Sequence, residues 1–194
     1  MKKRIAVFLA IPLLVSLFAA SNAAADTPQR FRWNVSNVFI QNATGLPQTG
    51  AQAQADNGDM VRVSGRGRFN ASTGTASGGG SFAHTDADGT LLGFGRWWAT
   101  GVEDFDFYGC DGGGFPPNFC GGLLTLSVHV VGTHVTLGTA AFDGVLTIDC
   151  TIGPNVPAGA EEGITLGIPG LINFDDLVPD PGGLTLFSAI RDDD

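Results

Sequence analysis

Met60-Val61-Arg62-Val63-Ser64-Gly65-Arg66-Gly67-Arg68-Phe69-Asn70 alternates without interruption. Val61, Val63, Gly65, Gly67 and Phe69 fall on one side, and Arg62, Ser64, Arg66 and Arg68 on the other. A period of two sends successive side chains to opposite faces of a strand, so residues 60–70 are predicted as a β-strand with one apolar and one basic face.

The flanking sequence continues the pattern. Residues 71–75 supply a turn, and 76–85 return as a strand through Gly78-Gly79-Gly80. Asp86-Ala87-Asp88-Gly89 then leads into 90–102, because aspartate followed by glycine suits the left-handed conformations of tight hairpins. Asp86-Ala87-Asp88-Gly89, with oxygen ligands on alternate residues, also resembles the start of a calcium loop, yet Thr90-Leu91-Leu92 lacks the ligands that would complete it. Residues 105–108 continue the same strand after a bend. Further strands are predicted at 31–40, 123–131, 142–152, 164–168, 171–174 and 184–190, with 135–137 as strand or loop. The interval 41–57 reads as a long polar loop. It contains Leu46-Pro47-Gln48-Thr49-Gly50, which has the form of a sortase signal but lies far from the C-terminus, so a Pro/Gly loop is the expectation. All 29 glycines lie beyond residue 25, and each would cost a helix interior about 1 kcal/mol relative to alanine. The expected fold is all-β, a single antiparallel β-barrel of about eight strands, with a β-sandwich as the alternative.

The chain opens differently. Lys2-Lys3-Arg4, the apolar run 5–20 and Ala23-Ala24-Ala25 have the three parts of a secretory signal peptide, predicted as a helix within 1–25 and removed on export. The apolar run is shorter than the roughly 20 residues of a membrane span. Residues 26–194 are therefore expected to form one secreted or periplasmic domain, free of the membrane once cleaved and ending on the acidic Asp192-Asp193-Asp194. Beyond residue 25 the seven cations are all arginine and face 19 carboxylates, a net charge of −12. That balance disfavours nucleic acid and anionic membranes as partners.

Three cysteines allow at most one intrachain bridge in an oxidising compartment. Cys110 and Cys120 bracket a Gly/Pro-rich loop and form one candidate pair. Aligning the apolar faces of 123–131 and 142–152 sets Leu124 opposite Leu146, and Cys120 opposite Cys150, which is the other. His129 and His134 would become neighbours on one face if Gly132-Thr133 were a two-residue turn, but no third metal ligand accompanies them. Glu103, Asp104 and Asp106 read as a solvated strand edge. No cofactor loop and no metal site is expected. The candidate ligand contacts are the stripe of Arg62, Arg66 and Arg68, whose planar guanidinium forks suit a carboxylate or phosphate, and Trp98, since Trp97 and Trp98 straddle the two faces of a strand.

The run Gly67-Arg68-Phe69-Asn70, Ser77-Gly78-Gly79-Gly80-Ser81-Phe82, Asp88-Gly89-Thr90 and Gly95-Arg96-Trp97-Trp98-Ala99-Thr100, followed by Pro116-Pro117-Asn118-Phe119-Cys120-Gly121-Gly122, resembles uncharacterised exported bacterial β-proteins. The resemblance covers about 60 residues and implies no activity or catalytic set. The architecture is also similar to the eight-stranded barrels of the allene oxide cyclase and dirigent kind, without their defining motifs, so no functional residue carries over.

Two functions follow as expectations. The first is a non-catalytic exported β-barrel that binds a small-molecule or cell-surface ligand, or serves as an envelope or matrix component. The second is a barrel enzyme of cyclase or isomerase type, using interior Arg62, Arg66 and Arg68 with a carboxylate or histidine. The facing of the arginines discriminates between them.

Overall fold

The computed structural model describes residues 29–110, 114–179 and 183–190; the expected signal peptide at 1–25 and the acidic end at 192–194 lie outside them. The described chain is nearly all strand. Four long strands form its centre: β3 Met60–Asn70, β4 Thr75–Thr85, β5 Leu91–Cys110 and β6 Phe119–His134. Successive hairpins join them into an antiparallel meander. β3 shows the predicted alternation, with Val61, Val63, Gly65 and Phe69 buried and Arg62, Arg66 and Arg68 exposed. The turn into β5 is built by Asp86, whose Oδ1 accepts from the backbone N–H groups of Asp88 at 3.0 Å and Thr90 at 2.7 Å.

Further strands cover the outer edges of β3 and β6, two on each edge. β2 (Ala51–Gln54) pairs with Met60–Val63 and β1 (Arg30–Val35) with Gly65–Asn70. On β6, β7 (Gly138–Cys150) takes Gly122–His134, while β11 (Thr185–Ala189) takes Phe119 and Cys120. β1 pairs with β11, which closes a hydrogen-bonded ring through six strands, β1, β3, β4, β5, β6 and β11. Two arms leave it. One runs from β7 through β8 (Gly163–Ile168) to β9 (Ile172–Phe174), and the other from β2 to β10 (Asp176–Val178). β8 lies against β2 and β10, with Leu177 packed over Gly163.

Sequence and structure part company at three places. Strand 31–40 was expected to run to Ile40, but it stops at Val35 and residues Val38–Thr44 form the helix α1. Asn37 caps it, its Oδ1 accepting from the N–H of Phe39 at 2.9 Å and of Ile40 at 3.2 Å, and Gly45 ends it in the left-handed conformation. The Asn37 amide also donates to Asn34 Oδ1 and to the Gly65 carbonyl, so the cap fastens the helix to the ring. The helix takes up part of the expected loop 41–57, and β2 takes up another part. With β2, β10 and the split edges, the described residues hold eleven strands where about eight were expected.

β6 supplies the third difference. It continues through Gly132-Thr133 to His134, so the expected two-residue turn there does not form and the reversal falls at Val135–Leu137. Alternation then puts His129 and His134 on opposite faces. The register pairs Gly122 with Cys150 and Leu124 with Ile148, two residues away from the register that would have faced Cys120 with Cys150. A slip of two residues keeps every side chain on its face, so facial pattern alone does not separate the two alignments. Cys120 lies opposite Cys110 on β5 and is disulfide-bonded to it, and Cys150 is a buried free thiol.

At the end sealed by β1 and β11 the interior is filled with rings. Phe31, Phe69, Phe105 and Phe187 form a cluster with centroid separations from 4.7 Å for Phe69–Phe105 to 6.0 Å for Phe69–Phe187, and Phe31 stacks on Phe69 at 5.0 Å. Beside them Trp33 and Trp97 stack at 5.2 Å. The glycines on the inner face of β3 make room for these indoles. A Cβ at Gly67 would stand 2.4 Å from Trp33 Cζ2, and one at Gly65 would stand 2.7 Å from Trp97 Cζ2.

Candidate functional site

The opposite end of the interior is open. Of β7, β8 pairs with Val145–Asp149 alone, so the first half of β7 extends past it, and Gly138–Gly144 has one edge unpaired among the described residues. β6 and β7 thus project as a hairpin over a space that no further strand fills. The result is a cavity of about 450 Å³ bounded by the ends of β3, β4 and β5, the β6–β7 hairpin and the β8–β9 turn. Its floor is Val61, Phe82, Val130 and Leu166, and its rim includes Leu137 and Leu171, which are 84% and 62% exposed. Below the floor only about 10 Å³ of free space remains between Val63, Trp97, Val128 and Leu146. The cavity volume lies within the range of small-molecule pockets, roughly 300–1,000 Å³.

Glycines shape this end too. Phe82 lies across Gly95 and Gly132, where a Cβ would stand 2.7 Å and 2.9 Å from its ring. The wall holds few polar side chains. His84 Nε2 is 3.0 Å from Asp59 Oδ2, and the His84 ring meets Phe174 edge-on at 5.3 Å. His134 stands at the rim, with its Nδ1 accepting from the backbone N–H groups of Thr136 at 3.1 Å and Leu137 at 3.3 Å. Among the described residues, neither lysine nor arginine lines the space.

The residues expected to bind a ligand lie elsewhere. Arg62, Arg66 and Arg68 project from the outer face of β3, so the arginine-lined interior imagined for an enzyme is not formed. Trp97 is in the core, whereas Trp98 is 42% exposed on the outer face of β5. Gly79 alone separates Trp98 from Arg66 across the sheet. Trp98 packs against His129 at 5.0 Å, and His129 Nδ1 is 2.6 Å from Asp143 Oδ1. The outer row therefore gathers Arg66, Trp98, His129 and Asp143 on the outer surface of the sheet, away from the cavity. Glu103, Asp104 and Asp106 are exposed along β5, with Ser127 donating to Glu103 at 2.7 Å. Among the described residues no group of three or more His, Cys, Asp or Glu side chains is placed to hold a metal ion.

A second polar cluster lies beside the sealed end. The Glu162 carboxylate accepts from the backbone N–H and hydroxyl of Thr185 at 2.6 and 2.8 Å, and from the backbone N–H of Thr151 at 2.8 Å. It thereby ties the end of β7 to β11. Burial raises the Glu162 carboxyl above its ordinary range against the pull of those bonds. Asp149 is pushed up to about 6, first by burial and then by the Glu162 charge, while the bond from Tyr108 opposes the shift. Burial likewise drives the Cys150 thiol far up, so it is an inert core group rather than a nucleophile.

Sequence reasoning did not single out Asp59 or His84. The signal was present in the hairpin of 60–70 with 76–85: a turn centred at 72–73 pairs Val61 with His84, as observed, and brings Asp59 alongside. Nothing in the local sequence near Asp59 marks it as a site residue, because its partner is 25 positions away. No protein-family model, curated protein or solved structure matches this chain, so the reading of the site rests on its geometry.

Proposed function

We propose that this chain is an exported, non-catalytic β-barrel protein that binds a small apolar molecule in the open end of its strand ring. The observation that carries the reading is an apolar cavity of about 450 Å³ at one end of the interior, above a floor under which only about 10 Å³ is free. An open pocket of that size lined by Val, Leu, Ile and Phe presents apolar surface to water, and an apolar guest removes it from water. Large side chains left exposed at its rim, Leu137 and Leu171, fit a mouth that a ligand partly covers. In this view the six-stranded ring and its two arms act together as the barrel, with β8 against β2 and β10 completing the wall near the cavity.

Export is supported by the basic, apolar and alanine-rich leader and by the Cys110–Cys120 disulfide. No helix among the described residues is long and apolar enough to cross a membrane. The net charge of the mature part speaks against nucleic acid as a partner.

Fluorescence of the neutral probe N-phenyl-1-naphthylamine tests the reading. Saturable binding with one probe per chain is expected, and Ala140→Trp, which adds an indole to the cavity wall from the exposed part of β7, should weaken it at least about tenfold while leaving the fold intact. Binding that never saturates, or that ignores the added indole, would contradict it.

A further inference from the structure

We infer that the Asp59–His84 pair is the polar anchor of the cavity, and that the ligand is a neutral apolar molecule carrying a hydroxyl group that donates to His84 Nδ1. The inference rests on the ligand-cavity reading above and specifies the chemistry of the guest.

An ionised carboxylate only accepts hydrogen bonds. With one proton on the imidazole, the 3.0 Å contact of Asp59 Oδ2 with His84 Nε2 places that proton on Nε2. Nδ1 is left with a lone pair, and no described residue donates to it. The pair is set back from water, with side chains 15% and 22% exposed for Asp59 and His84, and the edge-on contact with Phe174 fixes the plane of the ring. A guest that covers this acceptor without bonding it leaves it unsatisfied in an apolar wall, which makes it a discriminating contact.

Charge narrows the guest further. An anionic head group would meet the Asp59 carboxylate with no lysine or arginine on the wall to balance it. A cationic head would compete with His84 for Asp59, and the apolar walls would not solvate it. A hydroxyl satisfies Nδ1 without bringing charge. His134 reinforces the choice, because donation to its Nδ1 from Thr136 and Leu137 leaves Nε2–H as a donor at the rim for the oxygen of such a group or for a second polar atom.

The purified protein is loaded with N-phenyl-1-naphthylamine, which is then displaced by 1-naphthol or by 1-methylnaphthalene, in wild type and in His84→Phe. Comparing the two proteins cancels the difference in hydrophobicity between the competitors. The preference for 1-naphthol over 1-methylnaphthalene should be roughly 3- to 10-fold greater in wild type than in the variant, the worth of one hydrogen bond. In wild-type protein the ¹⁵N resonance of His84 Nδ1 should also move on adding 1-naphthol and stay in place with 1-methylnaphthalene, a readout that does not need the variant to fold. Equal preference in the two proteins, or an unmoved Nδ1 resonance at saturation with 1-naphthol, would overturn the anchor while leaving the cavity reading intact. Absence of any probe binding would overturn both.

Discussion

The sealed and open ends of the ring are made from the same four long strands, yet one is filled with aromatic rings and the other holds an apolar cavity. At the sealed end β1 and β11 bridge β3 to β6, and each inner glycine of β3 is covered by an indole, Trp97 over Gly65 and Trp33 over Gly67. At the open end the glycines Gly95 and Gly132 accommodate a single ring, Phe82, and the cavity lies above it. The difference turns on where neighbouring strands stop. β8 ends opposite Val145, leaving Ala140 and Phe142 of β7 directed at unfilled space. Packing that specifies the fold is thus separated from the surface available for binding, and a ligand site can be altered at one end at little cost to the other.

Truncating one ring at each end gives the largest contrast. Phe31 is fully buried and touches Phe69, Phe105 and Phe107, so Phe31→Ala should destabilise the protein by about 3–5 kcal/mol. Phe142→Ala at the cavity, where the ring is already exposed, should cost less than about 1 kcal/mol and weaken probe binding instead. Urea unfolding followed by probe titration separates these outcomes, and equal losses of stability would break the comparison.

The disulfide is expected to act next in size. Cys110 and Cys120 are 10 residues apart, and replacing both by alanine should cost roughly 2–3 kcal/mol through the loosened unfolded chain. Probe affinity of the folded variant should not change, since the bridge lies away from the cavity. A calorimetric scan with and without reductant checks the first statement, and a probe titration checks the second.

The smallest effect concerns pH. The Asp149 carboxyl, raised to about 6 in the fold, titrates near its ordinary value of about 4 in the unfolded chain. The folded state therefore holds this proton more tightly. The resulting stabilisation is fully present below about pH 4 and is lost as pH rises through about 6. Glu162, also raised, contributes in the same direction. Asp149→Asn keeps a polar partner for Tyr108 and removes the repulsion with Glu162, so the melting temperature should fall less between pH 5 and pH 7.5 in the variant than in wild type. Probe binding at the open end should be indifferent to the change.

Much of the fold was legible because strands announce themselves through a period of two. Residues 60–70, 76–85 and 123–131 were recovered as strands for that reason, and Asp86-Gly89 as a turn because its chemistry is local. The helix at Val38–Thr44 was hidden by Val38, Phe39 and Ile40, residues that favour strands, although Asn37 and Gly45 stood at its two caps. The arginine stripe was visible but its direction was not, since alternation defines two faces without saying which one meets solvent. Closing the ring resolved that question by turning Val61, Val63 and Phe69 inward. The cavity was the least legible feature. It arises from the unequal lengths of β7 and β8 and from a histidine and an aspartate joined only by hairpin register, relations that no short window of sequence contains.

The central claim is that the open end, and not the sealed end or the outer arginine face, receives an apolar guest. The most direct test is methyl and side-chain NMR of the labelled protein during titration with N-phenyl-1-naphthylamine. The account predicts saturable shifts at Val130, Leu166 and Ile168, with Leu124, Ile148 and the guanidinium groups of Arg62, Arg66 and Arg68 unmoved. Shifts centred on the outer face, or an absence of saturable shifts around the cavity, would contradict it.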